Sequence, residues 1–361
     1  MRVYAIAIAS RILVSACMLA GTYFTRSDYR FWNGISENGH RWAYVQDRIL
    51  DSLGRWDSWP YLRVAAAGYL PENGFYALEG AFFPLYPSLI RGLAIITHLP
   101  LFYCSVIISW ACFLLSIRAL FWLLSEIVSQ NANRQTMIAF LIFPGSIFLT
   151  AAYTESLFLL LSIEAIYCAR QRSFGIASIF TALATLTRPN GVFLLLPLLW
   201  EMRQIAPIDR KKIHILSFAL PIIALVLHMW EMNRVYGNPI YFQYVQQHWG
   251  RHFSGPWEAL FEFRFDPDYY LITLASMAAL AFLWRSRFPV SLNLHATVSL
   301  LLPLCTGTMK SMPRFVGINF PLFYIAAMAM ENRRFRVAYW TFAIGLLMIY
   351  AFRFGRADAI N

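Results

Sequence analysis

Apolar stretches recur along the whole chain, separated by short polar or basic connections. Residues 3–24 form the first, and residues 100–128 are long enough to span a bilayer with tilt despite Arg118. Further apolar segments run over 136–150, 155–169, 174–187, 191–202, 213–233, 269–284, 288–308, 315–330 and 337–352. Those in the 170s and 190s fall short of the roughly 17 to 25 residues that cross a hydrocarbon core, which predicts tilted or broken helices packed inside protein. Residues 81–98 are apolar but carry Pro84, Pro87 and Arg91. Two polar stretches are too long to be mere connectors: residues 25–80, rich in Gly and Trp, and residues 234–268.

Composition narrows this pattern to one class. Of the 361 residues, 59% are hydrophobic, 17% aromatic and only 14% charged, and the mean hydropathy is +0.51. These values describe an all-α polytopic membrane protein and exclude a soluble enzyme. The formal net charge of +11 comes from short basic clusters between apolar segments, a distribution set by orientation in an anionic bilayer rather than by nucleic acid. The strongest clusters, at 170–172, 203–212, 285–287 and 333–336, are expected on the cytoplasmic face. Counting spans between them puts residues 153–156, 187–191, 234–268 and 312–314 on the opposite face. Twelve full crossings cannot also place a cytoplasmic N-terminus and the 25–80 loop correctly, so the proline-bearing segment 81–98 is expected not to cross. The result is a single domain over 1–361 with about 11 (range about 10 to 13) transmembrane helices, a first external loop at 25–80 and a second at 234–268. Arg2 and Arg11, with no small-residue cleavage site before Arg26, indicate a retained first span. Cys17, Cys104, Cys112, Cys168 and Cys305 lie in apolar segments without ligand-like spacing, as packing residues do.

The candidate chemistry starts at Asp57, a carboxylate between Trp56 and Trp59 in the first external loop. A half-dry aromatic setting strengthens a carboxylate as a base, and Asp57 is the candidate catalytic base. Asp-Ser ahead of Pro60 is also ordinary helix-capping chemistry, and the two readings stand side by side. Trp56, Tyr61, Val64, Ala65 and Gly68 recur at near-helical spacing, predicting a short interfacial helix after Asp57. Glu155 opens an apolar helix, where a carboxylate complements the helix dipole. Arg188 precedes Pro189, so its backbone is expected to be extended and its guanidinium free either to bind a phosphate or to snorkel. Asn190-Gly191 predicts a tight turn. Arg314, after Pro313 and near Lys310, is a second cation at an external helix boundary. His248 and His252 are four apart but lack the carboxylate pattern of a metal site.

Five pieces stand in order along residues 55–325. They are Trp56-Asp57 with Tyr61-Leu62, Ala65 and Gly68-Tyr69; Phe82-Phe83-Pro84-Leu85-Tyr86-Pro87; Ser146-Ile147-Phe148 with residues 153–158; Arg188-Pro189-Asn190-Gly191; and Pro313-Arg314-Phe315 with Phe320-Pro321-Leu322. Together they resemble the PIG-V mannosyltransferases. The resemblance implies a GT-C-type bundle and an inverting transfer, most typically of mannose. The implied donor is a polyprenyl phosphate, dolichyl or undecaprenyl, and the implied acceptor is a lipid or glycan hydroxyl. Asp57 matches the family's Trp-Asp acid, and Glu155, Arg188, Asn190 and Arg314 match polar positions on the same side, without the match fixing their roles. The chemistry of the transfer suggests Asp57 as the catalytic base, Arg188 and Arg314 on the donor phosphate, and Trp56, Tyr61, Tyr153, Glu155 and Asn190 at the substrate. The chain is shorter than the eukaryotic members, which favours a bacterial lipid or surface-glycan acceptor over a glycosylphosphatidylinositol precursor. A bacterial plasma membrane with the site on its external face is implied, or the lumenal face of the endoplasmic reticulum in a eukaryote. Arginines suffice to neutralise a phosphate leaving group, so no cofactor is expected; Asp57 with Glu155 is the pair that would hold a divalent metal. Two alternatives stay open: the same architecture moving arabinose or glucose, and a transporter or flippase of lipid-linked sugars.

Overall fold

The computed structural model describes residues 2–24, 47–70, 78–205, 216–262 and 266–358. Much of the first polar loop and of the basic stretch 203–212 therefore lies outside the described residues. All regular structure among the described residues is helical. The first half comprises α1 (Arg2–Tyr23), α2 (Arg48–Asp51), α3 (Ser58–Ala67), α4 (Leu85–Thr97), α5 (Leu101–Ser125), α6 (Gln130–Ile142), α7 (Glu155–Arg170), α8 (Phe174–Thr187) and α9 (Leu195–Arg203). The second comprises α10 (Ala219–Tyr236), α11 (Tyr241–Tyr244), α12 (Pro256–Leu260), α13 (Pro267–Arg285), α14 (Val290–Leu304), α15 (Met312–Gly317), α16 (Leu322–Ala329) and α17 (Arg333–Gly355). Helices α1, α5 and α17 are each long and apolar enough to cross a membrane, and the chain is a membrane protein. The remaining apolar helices are shorter, and α8 and α9 are as short as the apolar runs in the 170s and 190s predict.

Prolines set most of the interruptions. The 136–150 segment becomes α6 and then a 3₁₀ turn, Pro144–Leu149, because the residue before a proline avoids helical backbone; Phe143 is extended (φ −64°, ψ 138°). Arg188 is extended ahead of Pro189 (φ −154°, ψ 145°) for the same reason, separating α8 from the 3₁₀ turn Pro189–Leu194. The 315–330 segment divides into α15 and α16, with Pro321 capping the second.

Long-range contacts give the bundle two distinct ends. At one, Gln171 Nε2 donates to Glu126 Oε1 (2.7 Å), Arg170 reaches Glu201 (3.3 Å), and Ser291 bonds the same carboxylate. At the other lie Asp57, residues 150–155, Arg188 and Arg314. Helix α4 spans only about 20 Å at 1.5 Å per residue. Near its start Tyr86 bonds Ser105 O (2.9 Å) and Ser109 Oγ (2.7 Å), and near its end Thr97 lies 3.9 Å from Cys104 Sγ. Both ends thus lie against the first part of α5. Helix α3 follows Asp57 where the spacing predicts a helix, but Trp59, Tyr61, Leu62 and Val64 are all buried, so protein covers more than one of its faces. Rings of Phe82 and Tyr86 close on Tyr61 edge-on at 4.8 and 5.2 Å.

One buried charge in α1 fixes the turn leading to the site. Arg11 donates from Nη2 to Leu141 O (2.8 Å) and Ser146 Oγ (3.0 Å), and from Nη1 to Thr150 Oγ1 (3.2 Å) and Ser146 O. Carbonyls and hydroxyls at the ends of the 3₁₀ turn thereby find a donor where water is excluded. Next to it, Gly145 lets α15 approach backbone to backbone: a Cβ there would lie 1.8 Å from Pro313 O. Gly145→Ala is expected to cost about 1–3 kcal/mol of stability by overpacking. Thermal unfolding of the detergent-solubilised protein measures it, and an unchanged midpoint would contradict this packing.

Candidate active site

Asp57 occupies the position before α3, yet its side chain makes no capping hydrogen bond. Its Oδ2 accepts instead from Arg314 Nη1. The short loop ahead of it is held rigidly. Arg55 is buried and donates from Nη1 to Asp51 O (2.6 Å), Gly54 O (2.6 Å) and Asp51 Oδ2 (3.1 Å), while Nε and Nη2 reach Gly355 O at the end of α17 (3.3 Å each). Trp56 adopts a left-handed backbone (φ 48°) that a bulky residue seldom takes. Contacts on both sides stabilise it. The Asp57 N–H donates to Tyr153 Oη (3.2 Å), whose hydroxyl donates to Arg55 O (3.0 Å), and Ser58 Oγ donates to Ala152 O (3.1 Å). The first external loop and residues 152–154 are thus laced together.

Glu155 is completely buried in the first turn of α7. Its Oε1 accepts from both Arg188 Nη2 and Arg314 Nε; Oε2 has no hydrogen-bond partner among the described residues. Arg188 also donates from Nε (3.0 Å) and Nη2 (2.9 Å) to Thr154 Oγ1, which shares a hydrogen bond with Tyr61 Oη (3.0 Å). Aromatic faces complete the setting: Arg314 lies 4.5 Å from the Tyr153 ring and 5.5 Å from Phe148, and Arg188 lies 5.8 Å from Phe158. Burial pushes the Tyr61 hydroxyl up to about 12, so it stays a proton carrier in this chain of bonds. A continuous network results, from Asp57 through Arg314, Glu155, Arg188 and Thr154 to Tyr61. Exposure is graded along it. Side-chain exposure is 0% for Glu155, about a tenth for each arginine, and 29% for Asp57. Asp57 is the carboxylate that an incoming molecule can reach.

The structure therefore brings together Asp57, Tyr61, Tyr153, Glu155, Arg188 and Arg314, with Trp56 half-buried beside them. Asn190 is half-buried one turn away, and no hydrogen bond among the described residues ties it to the network. Its neighbour Gly191 has a packing duty: a Cβ would fall 2.3 Å from the Ala184 carbonyl carbon, where the 3₁₀ turn crosses the end of α8. The turn thus brings backbone against backbone. His252 pairs with Glu258 on the surface (2.7 Å). Sequence reasoning missed Arg251, whose only signal was its place in the second polar loop. Arg251 lies 5.5 Å over the Phe315 ring and donates to Gln246 Oε1 (3.0 Å) and Lys310 O (3.3 Å). Burial lowers its pKa to about 10; Asp57 opposes the shift, and Arg314 and Arg188 add to it.

A buried carboxylate bound by two guanidiniums is costly to break from one side, because an unpaired charge stays behind. Glu155→Gln is expected to lose about 3–5 kcal/mol of stability, read as a lower unfolding midpoint in detergent. A midpoint equal to that of the wild type would show that the two arginines do not depend on it.

The Mannosyltransferase (PIG-V) family matches residues 23–255, a stretch that contains Asp57, Glu155 and Arg188. Among individual relatives, a GPI alpha-1,6-mannosyltransferase 2 from Cricetulus griseus is 32% identical over 159 residues, covering 40% of this chain and 30% of the relative. The Homo sapiens protein of the same description is 29% identical over 158 residues, with the same coverage of 40% and 30%. A GPI mannosyltransferase 2 from Yarrowia lipolytica is 30% identical over 161 residues, covering 44% of this chain and 43% of the relative. The match spans less than half the length of each of these relatives. With the family match extending over more than half of the sequence, the chain belongs to the Mannosyltransferase (PIG-V) family.

Proposed function

We propose that the protein is an integral membrane glycosyltransferase. It transfers a sugar, mannose in the first instance, from a polyprenyl-phosphate donor to a hydroxyl of a lipid or glycan acceptor, with inversion at the anomeric carbon. The observation that carries this reading is the Asp57 carboxylate: uninvolved in capping, it is held by Arg314 at the accessible edge of a buried ionic network. Family membership and the names of the relatives support the class of reaction and a glycolipid acceptor.

In this reading Asp57 removes the proton of the acceptor hydroxyl as its oxygen attacks the anomeric carbon. The bond from that carbon to the phosphate oxygen breaks, and its electron pair leaves on the lipid phosphate. A glycoside of opposite configuration and a polyprenyl monophosphate are the products. Arg188 and Arg314 stabilise the charge that develops on the departing phosphate. Glu155 positions both: it is too buried to meet a substrate, and its Oε1 fixes the two guanidiniums at once. Tyr61, through Thr154, orients Arg188; the buried Tyr153 holds the Asp57 backbone, and the half-buried Trp56 offers an aromatic face to a sugar ring. The active site is proposed to open on the membrane face opposite the basic loops.

Transfer in proteoliposomes from radiolabelled polyprenyl-phosphate-mannose to host lipids tests the assignment. Asp57→Asn is expected to lower the rate by about 10²- to 10⁴-fold at unchanged folding; equal rates would place the base elsewhere. Movement of intact labelled donor across the bilayer, with no new glycosidic bond, would replace the enzyme by a transporter. The same assay with EDTA is expected to keep its rate. Loss on chelation, restored by magnesium or manganese, would bring a metal into the mechanism.

A further inference from the structure

Asp57 and Glu155 are matched in charge by Arg188 and Arg314, and the ion pairs among these four use both carboxylates. Two more cations stand beside the group without an ion pair among the described residues: Arg251, from the second polar loop, and Lys310, just ahead of α15. Arg251 is bound only to neutral groups, Gln246 Oε1 and Lys310 O, and lies over Phe315, the residue after Arg314. Its Nε is buried and has no hydrogen-bond partner among the described residues. Glu262 also lies within electrostatic reach of Lys310, so the site as a whole holds one more positive than negative charge. Burial lowers the pKa of both extra cations, and for Lys310 the neighbouring Arg251 adds to the effect. A bound anion would relieve that cost.

We infer that Arg251 and Lys310 form the subsite for the phosphate of the lipid-linked donor, and that they hold the polyprenyl monophosphate once the sugar has left. This assignment rests on the transferase reading above. Charge gives it a direction. A sugar phosphodiester carries one negative charge, whereas the released monoester approaches two near neutral pH. A subsite with a surplus of positive charge therefore binds the departing group more tightly than the ground-state donor, as catalysis requires. Arg251 supplies a planar fork for two phosphate oxygens and Lys310 a point charge. Arg188 and Arg314, already neutralised, act on the bridging oxygen nearest the sugar.

The test is binding of polyprenyl monophosphate to the purified full chain in detergent, followed by tryptophan fluorescence, with neutral polyprenol of equal length as control. Wild type is expected to bind the monophosphate at least about tenfold tighter than polyprenol, and the Arg251→Gln/Lys310→Gln double variant to lose that difference. Arg251→Lys is expected to restore part of it in the presence of Lys310, and Asp57→Asn, which removes a negative charge, to bind at least as tightly as wild type. A monodisperse double variant with wild-type affinity overturns the subsite, and so does a wild type that binds polyprenol equally well. If the double variant does not fold, Lys310→Gln alone is expected to weaken monophosphate binding by about threefold or more, and unchanged affinity overturns the assignment. The two proposals fail separately. Transfer by wild type alongside unchanged binding in the double variant removes the subsite and leaves the enzyme. Charge-dependent binding without transfer from any donor removes the enzyme and leaves an anion site.

Discussion

A single carboxylate oxygen organises the site. Glu155 Oε1 receives Arg188 from the end of α8 and Arg314 from α15, in surroundings from which water is excluded. A buried charge is tolerated only when it is paired and hydrogen-bonded, so the three segments must arrive together. The backbone is arranged to let them. Pro144 and Pro189 end two helices where polar side chains have to turn inward, and Gly145 removes the side chain that would keep α15 away. Arg314 then extends the pairing to Asp57, which Arg55 and Tyr153 have fixed from the other side. Position of the outermost carboxylate therefore depends on the innermost one.

Much of this arrangement was legible in the sequence, for reasons specific to each element. Helix α8 runs from Phe174 to Thr187 as its apolar run predicts, because a basic loop and a proline bound it. The extended backbone at Arg188 follows from the proline after it, whatever the rest of the fold does. That Glu155, Arg188 and Arg314 share one end of the bundle follows from the alternation of basic connections. Which atoms meet could not be read in the same way. Arg314 reaches Asp57 across 257 residues and Glu155 across 159, and no local pattern encodes pairings at such separation. Arg11 reads as a mere interruption of the first apolar run, whereas its guanidinium ties α1 to the turn before the site. Asp57 was ambiguous because capping and catalysis use the same residue types in the same place; the structure shows that its side chain makes no capping bond.

The grading of exposure along the network divides the labour between two carboxylates. Glu155 has no access to an incoming hydroxyl and spends its charge on holding cations in place. Asp57 is bound by one guanidinium and open on another side, so it combines a fixed position with access. A proposed direct displacement needs this combination: one reachable base, and cations already placed where negative charge will appear. A double displacement would instead require a carboxylate within bonding reach of the anomeric carbon, forming a covalent glycosyl intermediate.

The stereochemistry of the new bond separates these two chemistries most directly. Product made from a donor of defined anomeric configuration would be isolated and its anomeric carbon–hydrogen coupling measured by NMR. Direct attack by an acceptor oxygen deprotonated at Asp57 requires the opposite configuration in the product. Retention of the donor's configuration would contradict the account and turn the carboxylate from a base into a nucleophile.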